Sequence, residues 1–325
     1  RTASSATGNC IFIYGEHMKL DVLCLGEPLL EFNQIQDNKK KAYSSGFGGD
    51  TSNTAISIAR QGMSVGFISK VGKDQFGREL LELWKRETVD YSHVSIHPEA
   101  PTGIYFVTHD ADGHHFTYYR SDSAACQMTP LDVPKDDLSQ TRVLHLSAIT
   151  QAISGSSCET AFAAIHLARK NGVKVSYDTN LRLKLWSLDS ARDVINRTIP
   201  LCEVLLPSLE DATSLTGLID PEEITDYYLE LGAKLVVLKQ GSLGVLVSDG
   251  KDNLHIPGHI VKAIDATGAG DTFDGAFLSE WLRRDDPFAA AEYANAAAAL
   301  STTNYGAVDS IPNRDEVAAF LGFSV

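Results

Sequence analysis

The chain has 325 residues, 43% hydrophobic and 22% charged, the composition of a soluble globular protein long enough to bury a substantial core. Its 42 acidic against 28 basic residues give a formal charge of −14, which repels a nucleic-acid backbone or an anionic membrane surface, so neither is expected as a partner. The five cysteines are scattered, without the close pairing of zinc or redox sites, and no apolar run approaches the roughly 20 residues of a membrane span; a reducing, cytoplasmic setting fits.

Residues 1–17 lack the apolar core of a signal peptide, because the run 11–14 is too short. They read as a leader ahead of a natural start at Met18, leaving 18–325 as the functional chain. "DVLCLG" predicts a buried strand ending at Gly26. "TSNTAISIARQG" predicts a helix stopped by Gly62. "VGFISKVG" reads as a strand and "DQFGRELLELWKRE" as a helix with Leu80, Leu81 and Trp84 on one side. Further along come the strand "TRVLHLS", the helix "SCETAFAAIHLARKNG", the strands "VKVSYD" and "EVLLPS", the helix "PEEITDYYLELG" and the strand "KLVVLKQG". Strands alternating with helices of this length predict an α/β protein, a mostly parallel sheet with helices on both faces. Residues 29–47 and 96–120 break that alternation. "GIYFVTHD" and "HHFTYYR" have period two, with "DADG" as a turn signal between them, so both regions are expected in a second, smaller sheet.

"DATGAGDTFDGAF" places Gly268, Ala269 and Gly270 directly ahead of Asp271 at a predicted helix start. A helix N-terminus presents unpaired N–H groups and a partial positive charge that suit an anion, and small residues let the backbone close around one. A carboxylate beside a phosphate is unfavourable unless it accepts the proton of an attacking hydroxyl. The same residues also suit a simple helix cap and tight turn. The stretch is not a Walker A loop, since no Gly-Lys-Ser/Thr follows.

This segment closely resembles the C-terminal signature of the ribokinase-like (PfkB) sugar kinases, and "GGDTSNTAISIARQG" (48–62) resembles their N-terminal signature, in the right order and separation. The resemblance implies a three-layer α/β/α core with a β-sheet lid, and ATP-dependent, Mg2+-assisted phosphorylation of a sugar hydroxyl. It makes Asp271 the general base and the amides of Gly268, Ala269 and Gly270 the anion hole. "KQGSLG" (239–244) matches the segment lining the nucleotide site, through Lys239, Gly241 and Gly244, although as a bare pattern it is equally a hairpin turn. The alanine-rich stretch 285–307 matches the segment beside the adenine, with Asn295 near the base, although such a helix is as readily packed core. The loop 299–306 with Asp265 and Ala266 matches a place where relatives hold a monovalent cation such as K+. Where the family commonly has N-x-x-E near the metal, this chain has "PSLED", so Ser208 falls to the nucleotide side and Asp211, with Glu210 beside it, to the metal through water.

Four segments are similar to the 2-keto-3-deoxygluconate kinases within that family: "LGEPLLEF", the Asp of "GGDTSNTA", "FTYYRSDSAA" and "DTNLRLKLW". A sugar acid carries a carboxylate, and arginine binds carboxylates through paired hydrogen bonds. Arg120, after a lid strand, and Arg182, after "VKVSYD", are the candidates, unless each forms an ordinary surface ion pair. Gly48, Gly49 and Asp50 are expected at the sugar hydroxyls, Asp50 also suiting a helix cap. Tyr105 and Tyr118 are expected to cover the sugar, or simply to pack the lid. The lid's free face is expected to support a homodimer or higher homo-oligomer. A fructokinase or other neutral-sugar kinase is the alternative, followed by a catalytically silent sugar-binding relative.

Overall fold

The computed structural model describes residues 19–35, 42–110 and 113–322; the leader, Met18 and residues 111–112 of the lid turn lie outside them. The strands are β1 (Val22–Leu25), β2 (Leu29–Ile35), β3 (Ala42–Gly48), β4 (Val65–Gly72), β5 (Val94–His97), β6 (Ile104–Asp110), β7 (Gly113–Tyr119), β8 (Val143–Ser147), β9 (Lys174–Asp178), β10 (Val204–Leu205), β11 (Leu235–Lys239), β12 (Gly244–Ser248) and β13 (Asn253–Pro257). Nine of them form one sheet in the order β13-β12-β11-β10-β9-β8-β1-β4-β5, and β3-β2-β6-β7 form a second. The large sheet is parallel from β11 through β5, with β12 and β13 added antiparallel.

Period-two burial splits the core into two layers. Val22 and Cys24 of β1 point to the side packed by helices Asp50–Arg60, Gln75–Arg86, Ala269–Arg284 and Pro287–Ser301. Leu23 and Leu25 point to the side packed by Gly155–Lys170, Leu188–Thr198, Leu209–Thr216 and Pro221–Glu230. Strands buried on both faces must be apolar throughout, which is why "VLCL" shows no polar alternation. The chain builds outward from β1 to β4 and β5 on one side, then crosses to β8 and builds the other way. That reversal opens a crevice beyond the carboxyl ends of β1 and β8, the place where such sheets hold ligands.

The second sheet holds β2, β3, β6 and β7, and the period-two segments fall in it. One part of the expected lid does not. Ile96 and His97 pair with Val71 and Gly72 at the edge of the large sheet, because the chain returns from helix Gln75–Arg86 parallel to β4 before it reaches the lid. The buried stripe of that helix is Leu80, Leu83 and Trp84, with Leu81 only partly buried. Among the described residues no helix is long and apolar enough to cross a membrane.

The lid is tied to the core by Asp74. Its carboxylate caps helix Gln75–Arg86 by accepting from the Gly77 amide at 2.7 Å, and it accepts from the Thr102 amide and hydroxyl, each at 2.8 Å, just before β6. Burial opposes the charge, yet these hydrogen bonds outweigh it and hold the carboxyl below the usual carboxylate range. Asp74→Ala should cost about 2 kcal/mol, from one lost cap and a severed tie to the lid. Since the folded state prefers this carboxylate ionised, the difference between wild type and variant should shrink as pH falls through the depressed value. Urea unfolding at neutral and acidic pH measures both; an unchanged midpoint at neutral pH removes the cap from this account.

Candidate active site

Two helix starts meet over the crevice. Helix Asp50–Arg60 begins after Gly49, whose φ of 103° no side chain tolerates well and whose added Cβ would come within 2.8 Å of Pro28 Cα. Helix Ala269–Arg284 begins after Gly268, at φ 76°, where an added Cβ would meet the Ala307 carbonyl oxygen at 2.9 Å. Further down, the two helices pack closely, with the Ser57 hydroxyl donating to the Thr272 carbonyl at 3.0 Å.

Asp271 lies where these helices converge. Asn53, one turn into the first helix, donates to Asp271 Oδ2 at 2.8 Å. Loss of water pushes the Asp271 carboxyl up, the nearby Asp50 charge adds to this, Asn53 opposes it, and the balance stands at about 7. A carboxylate with that affinity can take and release a proton near neutral pH. The amides of Gly270 and Asp271 have no acceptor among the described residues, whereas the Ala269 amide donates to the Ala266 carbonyl at 3.2 Å. The amides expected to hold an anion therefore divide into free and occupied ones, with Gly270 open.

Asp50 accepts from Ser147 at the end of β8 and from Asn180 after β9, the latter at 3.0 Å. Burial raises its proton affinity. Gly48 ends lid strand β3, where an added Cβ would meet the Tyr105 hydroxyl at 2.6 Å. Tyr105 is buried and donates to Glu31 at 2.5 Å, with its ring stacked 5.5 Å from that of Tyr118. Arg120 lies 5.6 Å over the Tyr118 ring and pairs with the fully buried Glu27, which also accepts from Ser123 at 2.6 Å. Arg120 Nε is buried without a partner. Arg182 is exposed, its Nη1 donating to the Leu181 carbonyl at 2.9 Å, and its charge acts on Asp211. The two arginines thus differ: one guanidinium is already matched by a carboxylate, the other is open.

At the other end of the crevice, Lys239 closes β11 and pairs with Asp178 at 3.2 Å and Asp274 at 2.8 Å. Gly241 starts a single 3-10 turn and Gly244 begins β12, so the segment 239–244 is also a hairpin connection. Ser208 caps helix Leu209–Thr216 by accepting from the Asp211 amide at 3.1 Å. Asp211 Oδ2 accepts from the Leu181 amide at 3.1 Å, and burial together with the Asp178 charge raises its proton affinity. Asn295 is buried and donates to the Pro257 carbonyl at 2.8 Å, pinning its helix to the end of β13.

Sequence reasoning did not single out Asn53, Ser147, Asp178, Asn180, Asp274, Glu27 or Glu31. Their signals were present: Asn53 follows Asp50 and Asp274 follows Asp271 by three residues, one helical turn, while Asp178 and Asn180 stand in the "DTN" that ends a strand. Glu27 and Glu31 are acidic residues inside an otherwise apolar run.

A family model described as pfkB family carbohydrate kinase matches residues 19–314. A 2-dehydro-3-deoxygluconokinase from Bacillus subtilis (strain 168) is 34% identical over 312 residues, covering 94% of this chain and 96% of its own. One from Thermoproteus tenax is 33% identical over 318 residues, with 93% and 94% covered. The crystal structure of a fructokinase from Vibrio cholerae O395, bound to fructose, ADP and calcium ion, superposes with a TM-score of 0.83 at 31% identity, covering 93% of this chain and 99% of that one.

Asp271→Asn should lower turnover on the order of 10²–10⁴-fold while nucleotide still binds, because only the proton acceptor is lost. A carboxylate titrating at about 7 is protonated below that value, so kcat/KM of the wild type for its acceptor should fall about tenfold per pH unit below 7 and level off above. A pH profile flat from 6 to 8 would exclude Asp271 as the titrating base.

Proposed function

We propose that this chain, which belongs to the pfkB family of carbohydrate kinases, transfers the terminal phosphoryl group of ATP to a hydroxyl of a sugar acid, 2-keto-3-deoxygluconate, at C6. The observation that carries the reaction is Asp271: a carboxylate with a proton affinity near 7, oriented by Asn53, at a helix start whose Gly270 amide is open. Asp271 takes the proton of the attacking hydroxyl. The open amides of Gly270 and Asp271 and the helix dipole stabilise the negative charge on the transferring group. Gly49, Asp50 and Asn180 hold sugar hydroxyls, and the Tyr105 and Tyr118 rings cover the ring face and exclude water. Lys239, Ser208 and the 241–244 turn lie along the nucleotide, with Asn295 behind the adenine.

Mg2+ supplies charge neutralisation of the phosphates when bound. Among the described residues no group of three or more His, Cys, Asp or Glu is assembled to hold a metal directly. A half-buried carboxylate whose proton affinity is raised beside another suits a cation that keeps its water, so Asp211 is placed at its second shell. The loop proposed for a monovalent cation is closed by Asp265, which accepts from Thr267 and from the Gly306 amide at 3.0 Å.

For the acceptor, Arg182 is the open guanidinium at the carboxyl end of β9 and grips the sugar carboxylate. Arg120, matched by Glu27, contributes through its unpartnered Nε under the lid. The neutral-ketose reading draws on the same pair, since Glu27 cancels the charge Arg120 would offer, and on the fructose-bound relative. The names of the Bacillus and Thermoproteus relatives favour the sugar acid. The lid also suggests the assembly. Its outer face carries Phe32, Tyr43, Phe106 and Tyr119 in contact, Tyr119 being 63% exposed, and a second copy of the chain would cover it.

Arg182→Ala should lower kcat/KM for the sugar acid at least tenfold, since a hydrogen bond between charged groups is worth roughly 1.5–3 kcal/mol. The KM for ATP should hardly change, and a neutral ketose should be affected much less. Steady-state kinetics on both acceptors decides; equal loss on both returns the assignment to a neutral sugar. Sedimentation at micromolar concentration should show a dimer or larger species that Tyr119→Arg dissociates, and a wild-type monomer would remove the assembly.

A further inference from the structure

Lys239 is more tightly constrained than a nucleotide-contacting lysine needs to be. Its ammonium sits between Asp178 Oδ2 at 3.2 Å and Asp274 Oδ1 at 2.8 Å, with the three side chains 12%, 8% and 1% exposed. An ammonium has three N–H donors. Two are used, and among the described residues the third has no acceptor. That ammonium is the atom nearest to a Cβ placed on Gly270, at 3.8 Å, and Gly270 carries the open amide ahead of Asp271. The spare donor and the free amide therefore border the same space.

The carboxylates are arranged to keep it there. Asp274 Oδ2 is buried and receives no donated hydrogen bond, while the Asp274 and Asp178 side chains are themselves within hydrogen-bonding reach. Two touching carboxylates in a dry site do not both ionise. Burial, with the Asp178 charge beside it, pushes the Asp274 carboxyl far up, whereas Lys239 and the neighbouring Asp274 hold Asp178 below the usual range against its own burial. A triad in which Asp274 holds its proton is one anion, one cation and one neutral acid, with no net charge to repel a phosphate. The other ionisable groups facing it are Asp271 on the same helix as Asp274, Asp50 from helix Asp50–Arg60, Asp211, and His145 from β8, which burial keeps neutral with a value of about 4.

We propose that Asp178 and Asp274 are positioning residues that hold the Lys239 ammonium beside the Gly270 amide, with one donor turned toward the phosphoryl group in transit. This rests on the kinase reading above. Lys239 then acts chiefly in the transition state, and Asp274 acts as a hydrogen-bonding acid and not as a second anion.

The test compares Lys239→Met, Asp274→Asn and Asp274→Leu in the full chain, measuring kcat and the KM for each substrate, with thermal melting to select folded samples. Lys239→Met should lower kcat on the order of 10²-fold, as loss of one preorganised donor does, with the KM for the sugar within twofold. Asp274→Asn preserves shape and hydrogen bonding and should retain at least ten times the kcat of Asp274→Leu. Turnover of Lys239→Met within threefold of wild type, or equal damage from Asn and Leu at 274, overturns the triad while leaving the kinase reading intact. A folded wild type that releases no ADP with any acceptor in a sugar and sugar-acid panel overturns both.

Discussion

A carboxylate buried where water is excluded, yet with its proton affinity balanced near 7, is the constraint on which the rest of this structure depends. Buried alone, Asp271 would stay protonated and could not act as a base; fully solvated, it would titrate with ordinary carboxylates and accept protons weakly at neutral pH. The crevice lies between these limits. Burial, Asp50 and Asp178 push the proton on, and Asn53 and Lys239 push it off. The four side chains stand on helix Asp50–Arg60, β9 and β11, so the balance exists only in the folded chain.

The architecture supplies those positions with few devices. Reversal of strand order beside β1 leaves a gap at the carboxyl edge of the sheet, and Ser147, Asp178 and Asn180 stand at the strand ends that border it. The two helix starts point their unbonded amides into the same gap. Close packing of those helices is what brings Asn53 within 2.8 Å of Asp271, residues 218 apart in sequence. The lid completes the enclosure, with Asp74 tying its first strand after the core helix to the large sheet and Glu31 fixing the Tyr105 ring over the opening.

An acidic protein that handles an anionic cosubstrate needs its negative charge cancelled locally. The pairing of Lys239 with Asp178 and Asp274, and of Arg120 with Glu27, does this inside the cleft, where solvent screening is weak and an unmatched charge would be costly. What is left without an acceptor among the described residues is the third N–H of Lys239, the buried Arg120 Nε and the Gly270 amide, beside the exposed guanidinium of Arg182. Apart from Arg182, these donors carry no unmatched charge, so they can hold an anion without drawing in every other one.

The sequence by itself determined the alternation of strands and helices, the separate lid sheet and the two glycine-rich helix starts, because periodicity, capping and backbone freedom are local properties that a dozen residues express. Asp271 stood out for the same reason, as a carboxylate placed where the backbone favours anions. The edge position of Ile96 and His97 was not legible, since a period-two segment does not say which sheet it joins. Nor were the partners of the charged residues: Arg120 with Glu27 and Lys239 with Asp178 and Asp274 are contacts across 93, 61 and 35 residues, set by where the crossovers deliver each strand end. Only the tertiary structure decided which charges meet and lose their water, and therefore that Arg120 is matched by Glu27 while Arg182 is not paired with a carboxylate among the described residues.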